Sequence, residues 1–384
     1  MTALTLNDVQ VDCRVLDSAS NRFLKPIYLT ASHSQLGNLG KLEAYKITRV
    51  PLLKGRFFEV LDEKSSEMAE FGLKVLNDDM NVYPKNVEDD YQKGTGRWGY
   101  EMNEGNILYV HELEVAKEFE NQGIATLLLE AFLTSAHIEK VDVAYCWPTP
   151  TRARSTAEHQ AEVPRVTRVF RKAGFRRVGR TPFFGFSPDP AHPSRLLAAW
   201  RDLDIDPYKF PARSDNMTNA EARSLMQAFP IQTAMDPPFP FSWRATATAP
   251  EHLQNKLPTT EEIVALVHAA HASDPALLHI RDDQGFPPIY VAAANNRLPV
   301  VSALLSYGIS AEEILSRDNA ADRNAIEAYK QHLSQNGQMQ QLLWRGRWAG
   351  HPDDTLIVGY MLRQAAGEDV GLLADYVAKE RRSV

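Results

Sequence analysis

Cysteine is nearly absent: Cys13 and Cys146 are the only two in 384 residues, and they stand in no CxxC pair. A disulfide framework is therefore excluded, and reduced thiols are expected. No apolar run approaches the roughly 20 residues that a membrane-crossing helix needs, so a soluble globular protein with no membrane partner is expected. The opening stretch MTALTLNDVQVDCRVLD lacks the basic start, apolar middle and small-residue cleavage site of a signal peptide, so the expected compartment is the cytoplasm, or else the nucleus. A Walker lysine and a GxSxG elbow are missing as well, which argues against nucleoside triphosphate and α/β-hydrolase sites; Gly94, Gly96 and Gly99 have GxGxxG spacing, but in a polar loop ahead of a strand rather than between a strand and a helix, so no dinucleotide site is expected. Positive charge is not in excess, since 42 Lys and Arg against 49 Asp and Glu leave −7; no nucleic-acid partner is expected.

What is present is a chain of ordinary globular composition, 44% hydrophobic and 24% charged. Its length exceeds one ordinary core and predicts two or three domains. Charge is unevenly spread. Between Thr151 and Arg180 nine basic residues (Arg152, Arg154, Arg165, Arg168, Arg171, Lys172, Arg176, Arg177, Arg180) face only Glu158 and Glu162, a window suited either to a polyanion or to a solvated surface. From Leu76 to Lys93 the bias reverses, with Asp78, Asp79, Glu88, Asp89 and Asp90 against two lysines; this stretch suits a cationic substrate or, again, plain solvation.

KLEAYKITRV reads as a strand. RFFEVLDEKSSEMAEFGLKVL reads as one amphipathic helix with Phe57, Leu61, Met68, Phe71 and Val75 on its apolar stripe. A polar loop closed by GTGRWG leads to the strand NILYVHELEV, a buried helix from Ile124, and a strand VDVAYCWPTP stopped by prolines. VPRVTRVFRKAGFRRVG follows as a helix ended by Gly174 and an outgoing strand. Twelve of the 23 prolines then fall between Pro182 and Pro258, which marks an extended connection. Capping-box spacing at Thr218/Glu221 and Thr259/Glu262 starts two further helices.

The stretch Asp282 to Ser310, DDQGFPPIYVAAANNRLPVVSALLSYGIS, resembles an ankyrin repeat: a D-x-x-G turn, Pro287-Pro288-Ile289-Tyr290 at the T-P-L-H position, then the small and apolar pairs of two short helices. A lone repeat cannot bury its face, so degenerate neighbours are expected around IVALVHAAHASDPALLHIRD and RNAIEAYKQHLSQNGQMQQLL. His268, His271 and His279 lie close in sequence without a carboxylate at ligand spacing, and no metal is expected.

The chemistry is concentrated in HELEVAKEFENQGIATLLLEAF, residues 111–132. A strand, a polar turn with one glycine and a buried helix together aim backbone N–H groups at an anion, with a phosphate or pyrophosphate as the natural ligand. These residues resemble the GNAT superfamily of N-acetyltransferases, whose acyl-CoA signature R/Q-x-x-G-x-G/A follows an L-x-V strand. Here Leu113-Glu114-Val115 precedes Glu120-Asn121-Gln122-Gly123-Ile124-Ala125, and VFRKAGFRRVG matches the helix that the family ends in G-F. The resemblance covers about residues 25–186. It implies an α+β fold with a mixed, mostly antiparallel sheet flanked by helices, here followed by an all-α ankyrin-like domain. The implied organisation is an N-terminal extension 1–24, an acyltransferase domain 25–186, a proline-rich connection 187–257, ankyrin-like repeats 258–345 and a helical extension 346–384.

In such enzymes the first motif's strand and the next strand splay apart, and pantetheine lies between them. The resemblance then implies that Leu113 and Val115 bond the pantetheine amides, that Asn121, Gln122, Gly123, Ile124, Ala125 and Thr126 hold the pyrophosphate, and that the basic window flanks the phosphates. Acetyl-CoA is the implied co-substrate and an amine, small molecule or protein, the acceptor; the repeats would bind a protein partner, bring the substrate or brace the acyltransferase domain. Glu112, ahead of L-x-V, is the expected general base, with Glu114 and His111 as other candidates. Alternation puts His111 and Leu113 on one face and Glu112 and Glu114 on the other. Two positions depart from the pattern: Glu120 replaces Arg or Gln, and Phe170 replaces a tyrosine that protonates the departing thiolate. Tyr145 and Cys146 are the substitute donors, Cys146 being equally readable as a buried structural thiol. Trp98, Trp147, Phe183, Phe184 and Phe186 either wall the acceptor pocket or fill the core. The alternative function is a CoA-binding or ankyrin-mediated scaffold on an acyltransferase fold without turnover.

Overall fold

Residues 5–16, 23–152, 155–205, 209–210, 217–238, 257–344 and 348–381 are described in the computed structural model. The chain divides into two compact units, Met1–Pro207 and Tyr208–Val384. Together they are a mixed α+β structure with one seven-stranded, mostly antiparallel sheet and fourteen α-helices among the described residues. No helix among these residues is long and apolar enough to cross a membrane.

In the first unit, period-two apolar patterns build strands β1 (Val9–Val15), β2 (Leu24–His33), β3 (Gly37–Ile47) and β4 (Ile107–Val115), which pair antiparallel in chain order. Strand β5 (Val143–Cys146) lies parallel to β4, and β7 (Phe184–Phe186) then β6 (Arg176–Arg177) complete the sheet. A parallel neighbour requires a crossover, and helix α3 (Ile124–Leu133) supplies it, its Leu128, Leu129 and Phe132 buried against Leu29, Leu42, Leu108, Val110 and Cys146. Helix α4 (Thr156–Lys172) joins the same layer through Val166, Val169 and Phe170. The opposite face, carrying Tyr45, Ile47, Ile107, Tyr109, Val143 and Tyr145, is covered by α1 (Phe57–Asp62) and α2 (Ser66–Lys74).

Three expectations change here. The single helix expected over residues 56–76 is two, because the Ser65 hydroxyl accepts a bond from the Met68 N–H and starts a new helix; the predicted stripe of Phe57, Leu61, Met68, Phe71 and Val75 is nonetheless fully buried. Part of the expected N-terminal extension is β1, paired with β2 along its whole length. The first unit also runs past residue 186, as the short helix α5 (Pro193–Leu196) follows β7 and the buried Asp202 carboxylate receives Arg171 Nε at 3.0 Å and the Arg177 N–H at 3.2 Å.

The second unit is helical: α6 (Asn219–Ala228), α7 (Pro230–Met235), α8 (Thr260–Ser273), α9 (Pro288–Ala294), α10 (Leu298–Ser306), α11 (Ala311–Leu315), α12 (Ala325–Trp344), α13 (Asp353–Ala365) and α14 (Leu373–Glu380). Both capping boxes form. Helix α7 packs on α9 and α9 on α12, while α8 packs on α10 and α10 on α13, so that three helix pairs stack through one core that includes Ile289, Val300, Leu304, Tyr329 and Leu356. Before α9, Asp282 Oδ1 accepts from the N–H groups of Gln284 (3.0 Å) and Phe286 (2.8 Å), and Gly285 turns at φ 78°. Helices α6 and α7 lie within the stretch expected to be a connection; proline at the first position of α7 starts a helix rather than preventing one. Residues 206–208, 211–216 and 239–256 of that stretch lie outside the described residues.

Candidate functional site

Strands β4 and β5 share a ladder of only four pairs, from Ile107 opposite Val143 to Val110 opposite Cys146. Beyond it β4 runs on to Val115, whereas the chain leaves β5 at Trp147 and Pro148. The strands separate at a β-bulge: Glu43 of β3 stands opposite Glu112 and Ala44 opposite Val110, leaving His111 as an extra residue. A bulge bends its strand and raises the local twist, and this one falls where the β4–β5 ladder ends.

The bulge also corrects the face assignment. Leu113 and Val115 pack toward α3, but the His111 ring lies edge-on to Tyr45 at 5.9 Å, on the α1–α2 side. Lys41 Nζ contacts Glu112 at 2.8 Å and Glu114 at 3.2 Å, so these carboxylates share one side of the sheet. His111 is thus on the opposite face from Leu113, because the extra residue resets the alternation. Burial holds the His111 imidazole below its ordinary pKa, and its Nδ1 is buried without a hydrogen-bond partner.

At the far end of β4 the chain turns through Asn121 at φ 59° and Gly123 at φ 90° into α3. Glycine adopts the second angle without the steric cost a Cβ would bring, and a Cβ there would meet Leu6 Cδ1 at 3.0 Å. The first intrahelical bond runs from the Leu127 N–H to the Gly123 carbonyl at 3.0 Å. The N–H groups of Ile124, Ala125 and Thr126 therefore have no acceptor within the helix. The Gln122 side chain is directed away from them, donating to the Glu118 carbonyl at 3.0 Å.

Glu120 does not leave a lone negative charge beside this turn. Arg165 of α4 donates Nη1 to it at 2.8 Å while also holding Glu162. Most of the basic window proves to be internally occupied: Arg152 with Glu114, Arg171 with Asp202, and the Arg177 guanidinium with the carbonyls of Leu203 and Thr181. Arg176 is buried and bonds the carbonyls of Leu197 and Arg171, and Arg180 lies over the Tyr91 ring at 4.1 Å. Arg168 and Lys172 are exposed, and Arg154 lies outside the described residues. The cluster is mostly a structural belt, not a field aimed at one ligand.

Of the expected acid–base groups, Glu114 is held below the ordinary carboxylate range by its bonds to Arg152, whose Nη1 also donates to the Val115 carbonyl at 3.1 Å. Glu112 is held by Lys41. Cys146 is fully buried on the α3 side, and burial drives its thiol well above the ordinary pKa. Tyr145 is fully buried on the other side, its ring 4.9 Å from Phe71 and its hydroxyl without a partner. Burial raises this phenol. Phe170 packs edge-on to Phe175 at 5.4 Å. Trp98 belongs to the core under α2, pressed on β7 where a Cβ at Gly185 would come within 2.7 Å of its Cζ2. Trp147 and Phe183 meet at 5.4 Å on that side, whereas Phe184 and Phe186 face the α3 layer.

One group was not foreseen. Glu67, in the first turn of α2, accepts the Tyr109 hydroxyl at 2.6 Å. Burial raises its carboxyl from 4.5 to about 7, the tyrosine bond opposing the rise. In sequence it is one more acid near a helix N-terminus, which the helix dipole explains without any function; only the tertiary pairing singles it out.

Among the described residues no cluster of three His, Cys, Asp or Glu side chains could hold a metal ion. His268 bonds the Tyr307 hydroxyl at 2.7 Å, His271 stacks on that ring at 3.8 Å, and His279 bonds Glu313 at 2.7 Å. No protein-family model matches the chain, and no curated protein matches it significantly.

Proposed function

We propose that the Met1–Pro207 unit is an acyl-CoA-dependent N-acyltransferase of the GNAT type, transferring an acetyl group from acetyl-CoA to an amine by direct attack in a ternary complex. The observation that carries this reading is the parallel pair β4 and β5, joined for four residues and then parted at a bulge, next to a glycine turn with unpartnered amides. The residues present fit the co-substrate. Amides of Gln122 to Thr126 would hold the pyrophosphate, each charge-assisted bond contributing about 1.5–3 kcal/mol. The edge of β4 from Leu113 to Val115 would hold the pantetheine arm, with Arg152 giving up the Val115 carbonyl to it. Acetyl-CoA would supply an activated acyl thioester. The chain would supply orientation along β4, exclusion of water by the Phe71, Phe183 and Trp147 side of the gap, and the Tyr145 hydroxyl as a donor beside the departing sulfur.

A second reading, a CoA-binding scaffold without turnover, is favoured by one feature: position 170 carries a phenylalanine 5% exposed in the core, and so offers no hydroxyl. In either case we infer that the stacked helix pairs of the Tyr208–Val384 unit form an ankyrin-like surface for a protein partner. Calorimetric titration with acetyl-CoA tests the common premise. Micromolar binding by the wild type, lost in Gly123→Trp, is expected; no binding at millimolar co-substrate would refute both readings of the first unit.

A further inference from the structure

We propose that Glu67 is the general base of this site, held in place by Tyr109, for a primary amine that reaches the opened strands from the α1–α2 side. The inference rests on the acyltransferase reading and names a residue that no sequence motif marks.

Position is the first argument. Tyr109 stands opposite Tyr145 in the ladder, one pair before its end, and its hydroxyl meets Glu67 at 2.6 Å. Phe71 packs against both tyrosine rings, at 5.2 Å and 4.9 Å, and fixes the floor on which α2 carries Glu67. The carboxyl is therefore fastened just below the point where β4 and β5 part.

Availability is the second. Glu112 is engaged by Lys41, and Glu114 by both Lys41 and Arg152; the bonds to Arg152 hold the Glu114 carboxyl below the ordinary carboxylate range. Glu67 has a neutral hydroxyl as its partner and keeps an affinity for protons near neutrality, where a base works best. The groups around it do not displace this balance. From β4 it is faced by Tyr109, whose phenol burial holds well above its ordinary pKa; Cys146 of β5 lies on the opposite face of the sheet, and burial likewise raises its thiol. Lys64, just before α2, is turned to Glu43 and the Tyr45 ring, and Glu70 pairs with Lys74. His111, further along β4, has its imidazole pKa lowered by burial.

The step balances as follows. The alkylammonium gives one proton to Glu67, and the free amine attacks the thioester carbonyl. The new C–N bond forms as the C–S bond breaks; sulfur keeps the bonding pair and takes the Tyr145 hydroxyl proton, which the second nitrogen proton replaces. Glu67 returns its proton to solvent.

The test measures kcat/KM for acetyl transfer from acetyl-CoA to methylamine and to lysine amide between pH 5.5 and 9, with acetyl-CoA binding measured in parallel. The wild type should show a limb rising through about pH 7. Glu67→Gln, which keeps the bond from Tyr109, should bind acetyl-CoA normally, lose at least about 100-fold in rate and lose the limb. Tyr109→Phe should stay active with its limb moved to higher pH, since the tyrosine bond lowers the Glu67 pKa; a merely structural role would not move the limb. Acetyl-CoA binding without transfer to either amine overturns the inference. So does a limb that persists in Glu67→Gln and vanishes in Glu112→Gln. Absence of acetyl-CoA binding overturns the acyltransferase reading itself, and this inference with it.

Discussion

Glu67 makes a prediction that needs no substrate. Its folded carboxyl sits at about 7 because burial disfavours the ion, whereas the unfolded chain titrates it near 4.5. Between those values the folded state keeps a proton that the unfolded state has lost, so rising pH destabilises the fold across this window. Above pH 7 the penalty is complete, and at about 1.4 kcal/mol per pH unit it comes to about 3 kcal/mol at most. Glu67→Gln removes the ion and retains an acceptor for the Tyr109 hydroxyl. The variant should therefore match the wild type at pH 4 and be more stable by about 2–3 kcal/mol at pH 8, a gain of the sort expected when a functional site is relieved of a buried charge. Urea unfolding of fluorotryptophan-labelled protein is a suitable assay, because the Trp98 resonance reports the core under α2 to which Met68 and Phe71 also belong. A stability difference independent of pH, or a variant less stable at pH 8 than at pH 4 relative to wild type, would refute the reasoning.

Other consequences are open to measurement. Asp202→Ala strands Arg171 and Arg177 without their carboxylate; burial already lowers Arg177 to about 10, so the loss should be about 3–5 kcal/mol, seen as faster amide exchange in β6 and β7. Glu120→Gln frees Arg165 on the turn's side and should tighten acetyl-CoA binding about two- to fivefold, more at low salt, by calorimetry at two ionic strengths. Asp282→Ala removes two bonds to turn amides ahead of α9 and should cost the helical unit about 1–3 kcal/mol in chemical denaturation.

Much of the backbone at the candidate site was legible because its signals are local. Leu113, Val115 and Gly123 lie where the L-x-V strand and the glycine turn put them, since a positive φ at Gly123 and an apolar helix after it are properties of a few consecutive residues. The two capping boxes and the D-x-x-G turn were readable for the same reason. What sequence missed is tertiary. Nothing in HELEV marks His111 as the extra residue, because a bulge is defined by the partner strand; simple alternation therefore put His111 on the wrong face. The pairing of Glu120 with Arg165 spans 45 residues, and that of Glu67 with Tyr109 spans 42. Strands β1 and β2 were passed over because β1 is largely exposed and reads as a polar tail until β2 is laid beside it. The proline-rich texture after residue 182 looked like a connection, yet Asp202 there closes a buried ion cluster.

The central claim, that the turn at Gly123 and the free edge of β4 together hold an acyl-CoA, is tested most directly by following backbone amide resonances during titration with acetyl-CoA. Shifts concentrated at Leu113–Val115 and Gln122–Thr126, reduced in Gly123→Trp, are the predicted result. Unmoved amides at both places in the presence of millimolar acetyl-CoA would contradict it.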